Sequence, residues 1–178
     1  MIWDTKIECA SRDEMHKIQS VKLNAMIERI YKHVPFYKKK LDEKGIKPGD
    51  ITDISQLQDL PFPEKHDLRD NYPFGLFTVP QSEIVRIHAS SGTTGKPTVV
   101  GYTKNDITMW AEVVARSLTM ANIGKHDILQ IAYGYGLFTG GLGLHYGAER
   151  VGASVIPISG GNTAKQLTLL EDFKSTVL

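Results

Sequence analysis

The run from His88 to Pro97 brings together residue types that can bind a polyphosphate. Glycine lets the backbone adopt positive φ and approach a ligand closely, and successive backbone N–H groups in such a loop form a concavity that binds anions. Hydroxyl groups add neutral donors, and a lysine adds a point charge suited to phosphate. The loop therefore predicts that the chain binds a nucleotide. Its candidate phosphate-binding residues are Ser90, Ser91, Gly92, Thr93, Thr94, Gly95 and Lys96.

The spacing inside this loop excludes the phosphate loop of the P-loop NTPases. That loop has the form G-x-x-x-x-G-K-[ST] and leads directly into a helix. Here only two residues separate Gly92 from Gly95, and Pro97 follows the lysine. The flanking segments 84–89 and 98–103 have strand-like character. The sequence therefore predicts a strand–loop–strand unit.

Several segments resemble the adenylate-forming enzymes, the acyl-CoA synthetase superfamily. The run from Ser90 to Pro97 resembles the signature phosphate loop of that superfamily, and residues 132–149 are similar to the phenylacetate–CoA ligase family within it. Residues 34–37, 60–62 and 67–69 resemble the same family, so the resemblance covers essentially the whole chain. Taken alone, the loop has an alternative interpretation as a mobile Ser/Thr/Gly linker.

The resemblance implies an ATP-dependent aryl-acid–CoA ligase that acts on phenylacetate. In that family a carboxylate attacks the α-phosphorus of ATP, which gives an acyl-adenylate and diphosphate, and the thiol of CoA then forms the thioester. The resemblance implies that residues 90–96 wrap the β- and γ-phosphates, with ATP and CoA as co-substrates and Mg²⁺ arriving with ATP. Which hydroxyl contacts phosphate stays open. For Lys96, a solvated surface position is the alternative, because lysine is usually exposed.

The resemblance also implies that this chain carries no catalytic residue. The family's adenine- and ribose-binding motifs, and the lysine of its C-terminal domain, match nothing in these residues. The last four residues read as the start of another strand, so we expect a truncated N-terminal portion that is inactive alone. Two alternatives stay open: another adenylate-forming ligase for aryl acids, and a non-catalytic nucleotide-binding module.

Aromatic and glycine residues after position 132 are candidates for an acid-binding pocket. They follow a predicted strand, and ligands of open α/β sheets bind beyond the carboxyl ends of the strands. Aromatic rings suit an aromatic acid, whereas the alternative places these rings in the core. We expect Gly143 to allow close helix packing. The resemblance implies a pocket lined by Tyr133, Tyr135, Phe138, Gly140 and Gly141.

The elements that position these residues divide near Pro80. Residues 1–80 read as a helical N-terminal appendage, in which Ser11 and Glu14 match a capping box and Pro35 separates two helices. Residues 81–178 alternate strands and helices, which predicts an α/β fold with a mainly parallel sheet and crossover helices. The resemblance implies that this is the first part of the large N-terminal domain of adenylate-forming enzymes. The later elements are expected as a strand at 127–133, a helix at 137–151, a strand at 153–159 and a helix at 163–173.

Composition argues against several other classes of protein. Lys and Arg number 21 against 20 Asp and Glu, so the net charge of +1 gives no indication of nucleic-acid binding. The single Cys9 fits a reducing compartment, and no apolar run approaches the ~18 residues of a membrane span, so we expect a cytoplasmic protein without a membrane partner. The histidines lack zinc-ligand spacing, which predicts no protein-held metal. The resemblance, though not the sequence itself, implies a homodimer.

Overall fold

The computed structural model of the protein describes residues 1–92 and 95–178, and it has an α/β fold. Thr93 and Thr94, two of the predicted phosphate-binding residues, lie outside the described residues. Short 3-10 helices cover Ile54–Asp59 and Gln81–Glu83. The helices are α1 (Thr5–Glu8), α2 (Arg12–His33), α3 (Pro35–Glu43), α4 (Lys65–Asp70), α5 (Lys104–Met120), α6 (Gly140–Val151) and α7 (Thr163–Asp172). The strands are β1 (Ile84–Ala89), β2 (Val99–Thr103), β3 (Ile128–Gln130) and β4 (Ser154–Ile156).

The first part of the chain is helical, as its capping and proline signals predict. The Glu14 N–H donates to Ser11 Oγ at 3.3 Å and the Glu14 carboxylate accepts from the Ser11 N–H at 2.8 Å, which confirms the capping box of α2. Pro35 is the first residue of α3, where its missing N–H and fixed φ are tolerated. No described helix is long and apolar enough to cross a membrane. The buried apolar cluster of this part contains Leu23, Ile27, Leu41, Ile51 and Leu60.

A hairpin carries the candidate phosphate loop. Strands β1 and β2 pair in antiparallel register, with Ala89 opposite Val99. The loop therefore leaves and re-enters the same two-stranded ribbon, which confirms the predicted strand–loop–strand unit. Thr103 then caps α5, since the Asp106 N–H donates to its Oγ1 at 3.2 Å.

A parallel unit follows the hairpin. Strand β3 pairs in parallel with β4, helix α6 connects them, and Val177 forms a further parallel bridge to Leu129. Both strands are shorter than predicted, and α6 begins at Gly140 rather than at 137. The Ile131 N–H still donates to the Ile156 carbonyl at 2.9 Å, but the chain then leaves the sheet, because the next residues fold onto the start of α6. The predicted crossover is confirmed, and its loop is longer than the apolar pattern suggested.

Helices α5 and α6 pack unusually close because α6 presents glycines to α5. A Cβ built on Gly143 would lie 2.7 Å from the Trp110 ring, and one on Gly147 would lie 2.2 Å from Val114. These positions admit no side chain without movement of α5. The buried cluster beside this helix pair contains Leu118, Leu129, Ile131, Ala148 and Ala153.

The N-terminal segment, residues 1–4, contacts α5 and α6 of the α/β part. The Trp3 indole N–H donates to the Glu112 carboxylate at 2.8 Å, and Asp4 lies 3.1 Å from the Arg116 guanidinium. Arg150 of α6 covers the Trp3 ring at 5.6 Å. Side-chain contacts therefore attach this segment to α5 and α6.

Candidate active site

Ser90 closes the base of the phosphate loop. Its N–H donates to the Thr98 carbonyl at 2.9 Å, and its Oγ accepts from the Thr98 N–H at 2.9 Å. The hydroxyl oxygen therefore stabilises the mouth of the loop where β1 ends and β2 approaches. This role comes from pairing across the hairpin, and the residue types in the loop do not reveal it.

The two loop glycines adopt backbone conformations that other residues rarely reach. Gly92 has φ +66° and Gly95 has φ +129°, and the Gly95 N–H donates to the Gly92 carbonyl at 2.9 Å. A Cβ on Gly92 would lie 2.9 Å from the Gly95 carbonyl oxygen, so the turn leaves no space for a side chain there. Ser91 and Lys96 are exposed, and the Lys96 ammonium lies 5.3 Å from the centre of the Tyr72 ring. The described part of the loop is a tight, solvent-facing turn with one positive charge at its end.

The backbone carbonyl of Leu137 links the candidate phosphate loop to residues 133–138, called here the aromatic segment. It accepts the Ala89 N–H at 3.1 Å and lies 2.8 Å from His88 Nδ1. Both donors end β1, directly before the loop. The structure thus brings together the two groups of residues that the sequence predicts for phosphate and for acid binding.

His88 is a functional candidate that the sequence patterns did not single out. It is 2% exposed, and its ring contacts Tyr102 and Trp110 edge-on at 5.6 and 5.7 Å between centres. A carbonyl only accepts, so Nδ1 carries the proton that is shared with Leu137. The other nitrogen, Nε2, is buried and has no hydrogen-bond partner among the described residues. Burying an unpaired polar atom costs about 1–3 kcal/mol, so a residue that does so calls for an explanation.

The signal that could have marked His88 is its place in the alternation of β1. Ile84, Arg86 and His88 share one face of the strand. This face contacts α6, because the Arg86 guanidinium lies over the Tyr146 ring at 4.7 Å. A polar residue in this register, directly before a ligand loop, is a position to examine in any hairpin of this kind.

Tyr133 and Phe138 lie at the surface beside this junction. Their exposed fractions are 55% and 50%, so neither ring belongs to the core. A Cβ on Gly140 would lie 2.6 Å from the Tyr133 ring, and one on Gly141 would lie 2.7 Å from the Gly134 carbonyl oxygen. The two predicted glycines therefore let the aromatic segment fold back onto the first turn of α6.

Tyr135 differs from its aromatic neighbours, because it packs against the buried cluster beside α5 and α6. Its hydroxyl lies 3.1 Å from His145 Nδ1, and His145 Nε2 lies 3.1 Å from the Glu149 carboxylate. A carboxylate only accepts, so Nε2 donates to Glu149, and in the neutral imidazole the tyrosine hydroxyl donates to Nδ1. Burial, and then the negative charge of Glu149, raises the pKa of Tyr135. The interpretation of these aromatic residues as core residues therefore fits Tyr135 better than it fits Tyr133 or Phe138.

Sequence comparisons find known proteins that match this chain over its whole length. The phenylacetate-coenzyme A ligase of Escherichia coli (strain K12) is 55% identical over 181 residues, which cover 100% of this chain and 41% of that protein. The predicted resemblance to phenylacetate–CoA ligases is confirmed. The ligase of Aromatoleum evansii is 54% identical, with 97% of this chain and 39% of the relative covered. The chain thus spans about two fifths of the length of the curated relatives it matches. No protein-family model matches it.

Solved structures show the same fold. The crystal structure of 2-hydroxyisobutyryl-CoA ligase in the postadenylation state, in complex with 2-HIB-AMP, superposes with a TM-score of 0.89 at 28% identity, over 98% of this chain and 38% of that one. The same ligase with 2-HIB-AMP and CoA in the thioesterification state gives 0.89 at 30% identity, again over 98% and 38%. The α/β fold of this chain is therefore the fold found in the corresponding part of acyl-CoA ligases.

Proposed function

We propose that the complete protein to which these residues belong is an AMP-forming aryl-acid–CoA ligase. Phenylacetate, ATP and CoA would give phenylacetyl-CoA, AMP and diphosphate through an acyl-adenylate. The observation that carries this proposal is the shared Leu137 carbonyl, because it fixes a phosphate-type loop and an aromatic surface side by side. The similarity to phenylacetate-coenzyme A ligases at 51–55% identity supports phenylacetate as the acid.

The phosphate loop is proposed to hold the β- and γ-phosphates of ATP. Ser91, Lys96 and the backbone around Gly92 and Gly95 face solvent or lie near it, as a ligand contact requires. Ser90 uses its oxygen at the mouth of the loop, so its proposed contribution is to hold the loop in shape. Thr93 and Thr94 lie outside the described residues and remain part of the proposal by their position in the loop.

The acid pocket is proposed to form around the exposed faces of Tyr133 and Phe138. Aromatic rings offer edge and face contacts to a second ring. Gly140 and Gly141 allow the segment to approach α6, and Tyr135 supports it from behind through its hydrogen bond to a histidine. The carboxylate of a bound acid would then point toward the phosphate loop, which is the orientation that adenylation needs.

Mg²⁺ is proposed to arrive with ATP rather than on a site of this part of the chain. Across residues 1–92 and 95–178, no three His, Cys, Asp or Glu side chains are placed to hold a metal ion. Mg²⁺ keeps several waters and commonly binds through substrate phosphates, so an exposed loop for phosphates fits it. The cytoplasmic location and the homodimer stay predictions.

The division near residue 80 into a helical unit and an α/β unit is also a proposal. Two separate buried clusters support it, one within residues 23–60 and the other within residues 118–153. Trp3 and Asp4 contact α5, so the first residues of the chain pack with the second unit.

The experiment that tests the function is phenylacetate-dependent exchange of labelled diphosphate into ATP by the complete natural protein. Exchange followed by thioester formation with CoA is the expected result. Exchange without thioester would favour another adenylate-forming ligase. No exchange with any aryl acid, despite ATP binding, would contradict the proposal and favour a non-catalytic nucleotide-binding module.

A further inference from the structure

We propose that His88 is a positioning residue that couples the phosphate loop to the acid pocket through its hydrogen bond to the Leu137 carbonyl. The proposal rests on the function proposed above, because it concerns the two parts of that site. It assigns no chemical step to the imidazole. It states that the Nδ1–H bond fixes the distance between two substrates that bind to different segments of the chain.

The first support is the geometry of the shared carbonyl. A single backbone bond from Ala89 at 3.1 Å would leave the carbonyl free to pivot about that contact. The second donor, His88 Nδ1 at 2.8 Å, comes from a side chain and approaches from a different atom position. Two donors on one acceptor restrict the movement of Leu137 relative to β1. Along the chain, Phe138 follows Leu137 and Ser90 follows Ala89, so this contact lies one residue away from each proposed binding segment.

The second support is that the imidazole is itself held in place. Its edge contacts reach Tyr102 on β2 and Trp110 on α5, and those two rings stack at 5.1 Å between centres. Trp110 in turn fills the space that a side chain at Gly143 would need. The donor atom is therefore positioned by three elements, so the carbonyl it binds is positioned relative to all of them.

The third support is the hydrogen-bond donor of the imidazole, which an apolar ring at this position would lack. A phenyl ring of similar shape would fill the same buried space and leave no unpaired nitrogen, whereas His88 Nε2 has no partner in the described part of the chain. Packing alone therefore gives no advantage to histidine. The feature that distinguishes it is the Nδ1–H donor to Leu137.

The consequence for the reaction follows from distance. Adenylation requires a carboxylate oxygen held by one segment to reach the α-phosphorus of an ATP whose β- and γ-phosphates are held by the other. A misplacement of ~1 Å between reacting groups can reduce a rate about 100-fold. A change at His88 is therefore expected to act on the chemical step more than on the binding of either substrate alone.

The test compares His88→Phe with His88→Asn in the complete natural protein. Phenylalanine keeps the ring and removes the donor, whereas the asparagine amide can place an N–H near the position of Nδ1. We expect His88→Phe to lower the kcat of phenylacetate-dependent exchange by about 10- to 100-fold, with the dissociation constants of ATP alone and phenylacetate alone changed by no more than about twofold. His88→Asn is expected to recover most of the rate.

A second readout does not need turnover. Isothermal titration with ATP, without and with phenylacetate, follows ligand binding directly. The ratio of ATP dissociation constants without and with phenylacetate measures the coupling between the two sites. We expect this ratio to differ from one in the parent protein and in His88→Asn, and to fall to one in His88→Phe.

The outcomes separate this inference from the function on which it rests. A parent protein without exchange contradicts the proposed function, and the coupling ratio then decides the inference by itself. A ratio of one in the parent, equal behaviour of all three proteins, or equal losses in both variants in step with their melting temperatures would overturn the role of His88. Recovery by asparagine alone supports it.

Discussion

Lys96 supplies the positive charge at the end of the phosphate loop, and Gly140 makes room for the Tyr133 ring. The two residues lie on different segments that meet at Leu137. Because they are proposed to serve different ligands, single substitutions at each should affect one ligand and spare the other. That separation is the residue-scale test of the site.

Replacing Lys96 by alanine is expected to weaken ATP binding by about 10- to 100-fold, because a charge-assisted bond to phosphate contributes about 1.5–3 kcal/mol. Phenylacetate binding should stay unchanged. Isothermal titration with ATP and with the acid measures both. Lys125→Ala is the matched control, since Lys125 is also an exposed lysine but lies away from the loop. Equal ATP affinity in both variants would assign Lys96 to the solvated surface.

Replacing Gly140 by alanine is expected to affect the acid instead. The new Cβ would lie 2.6 Å from the Tyr133 ring, which must move from its place on α6. Overpacking of this kind costs about 1–3 kcal/mol, so we expect the KM for phenylacetate to rise by about 5- to 100-fold with little change for ATP. Gly136→Ala, where a Cβ meets open space, is the control. A KM that stays at the parent value in Gly140→Ala would remove Tyr133 from the pocket.

At the scale of the elements, the close contact of α5 and α6 sets where the aromatic segment begins. Gly143 faces Trp110 and Gly147 faces Val114, one helical turn further along both helices. The predicted role of Gly143 in helix packing agrees with this geometry. Gly147 was not predicted, because only the pairing of the two helices shows that it lies on the same face.

The Gly147→Ala variant tests this contact. Its Cβ would lie 2.2 Å from Val114, so we expect the free energy of unfolding to fall by about 1–3 kcal/mol despite the higher helix propensity of alanine. Urea unfolding followed by circular dichroism measures the loss. Val114→Ala in the same chain should restore part of it by removing the clashing methyl groups. Undiminished stability of the single variant would show that the helices separate at no cost.

At the scale of the whole molecule, the Glu112 carboxylate holds the N-terminal segment together with the Asp4–Arg116 ion pair. The Trp3 indole hydrogen bond, opposed by partial burial and aided by the charge of Arg150, holds the pKa of Glu112 below its usual value of 4.5. A carboxylate with a lowered folded-state pKa stabilises the docked state above the unfolded value. That contribution is lost as the pH falls below about 4.5 and through the folded-state pKa.

We therefore expect the segment around Trp3 to undock on acidification before the rest of the chain unfolds. The indole N–H signal of Trp3 in ¹H–¹⁵N spectra should shift toward the value of a free side chain as the pH falls below 4.5. Glu112→Gln keeps an acceptor for the indole and has no carboxylate to titrate at position 112, so its Trp3 signal should move less than that of the parent over the same range. A Trp3 signal independent of pH in the parent would contradict the role of Glu112.

Local chemistry accounts for what the sequence predicted well. The capping box at Ser11 and the proline at the start of α3 depend on residues within one turn, and each lies where it was expected. The glycine spacing likewise predicted a strand–loop–strand unit. Contacts between distant segments were not predictable: the His88–Leu137 bond joins residues 49 apart, and the Trp3–Glu112 bond joins residues 109 apart. The predicted β3 was too long because apolar residues continue past Ile131, where the chain leaves the sheet.

The Leu137 carbonyl has a practical consequence for protein engineering. Libraries that vary residues 133–140 to change the proposed acid pocket are expected to disturb the anchor of the proposed phosphate loop as well. Variants with a well-shaped new pocket can then be discarded in a screen run at limiting ATP. Selection at saturating ATP, followed by a second round that varies residues 86–90, would recover such variants as compensated pairs.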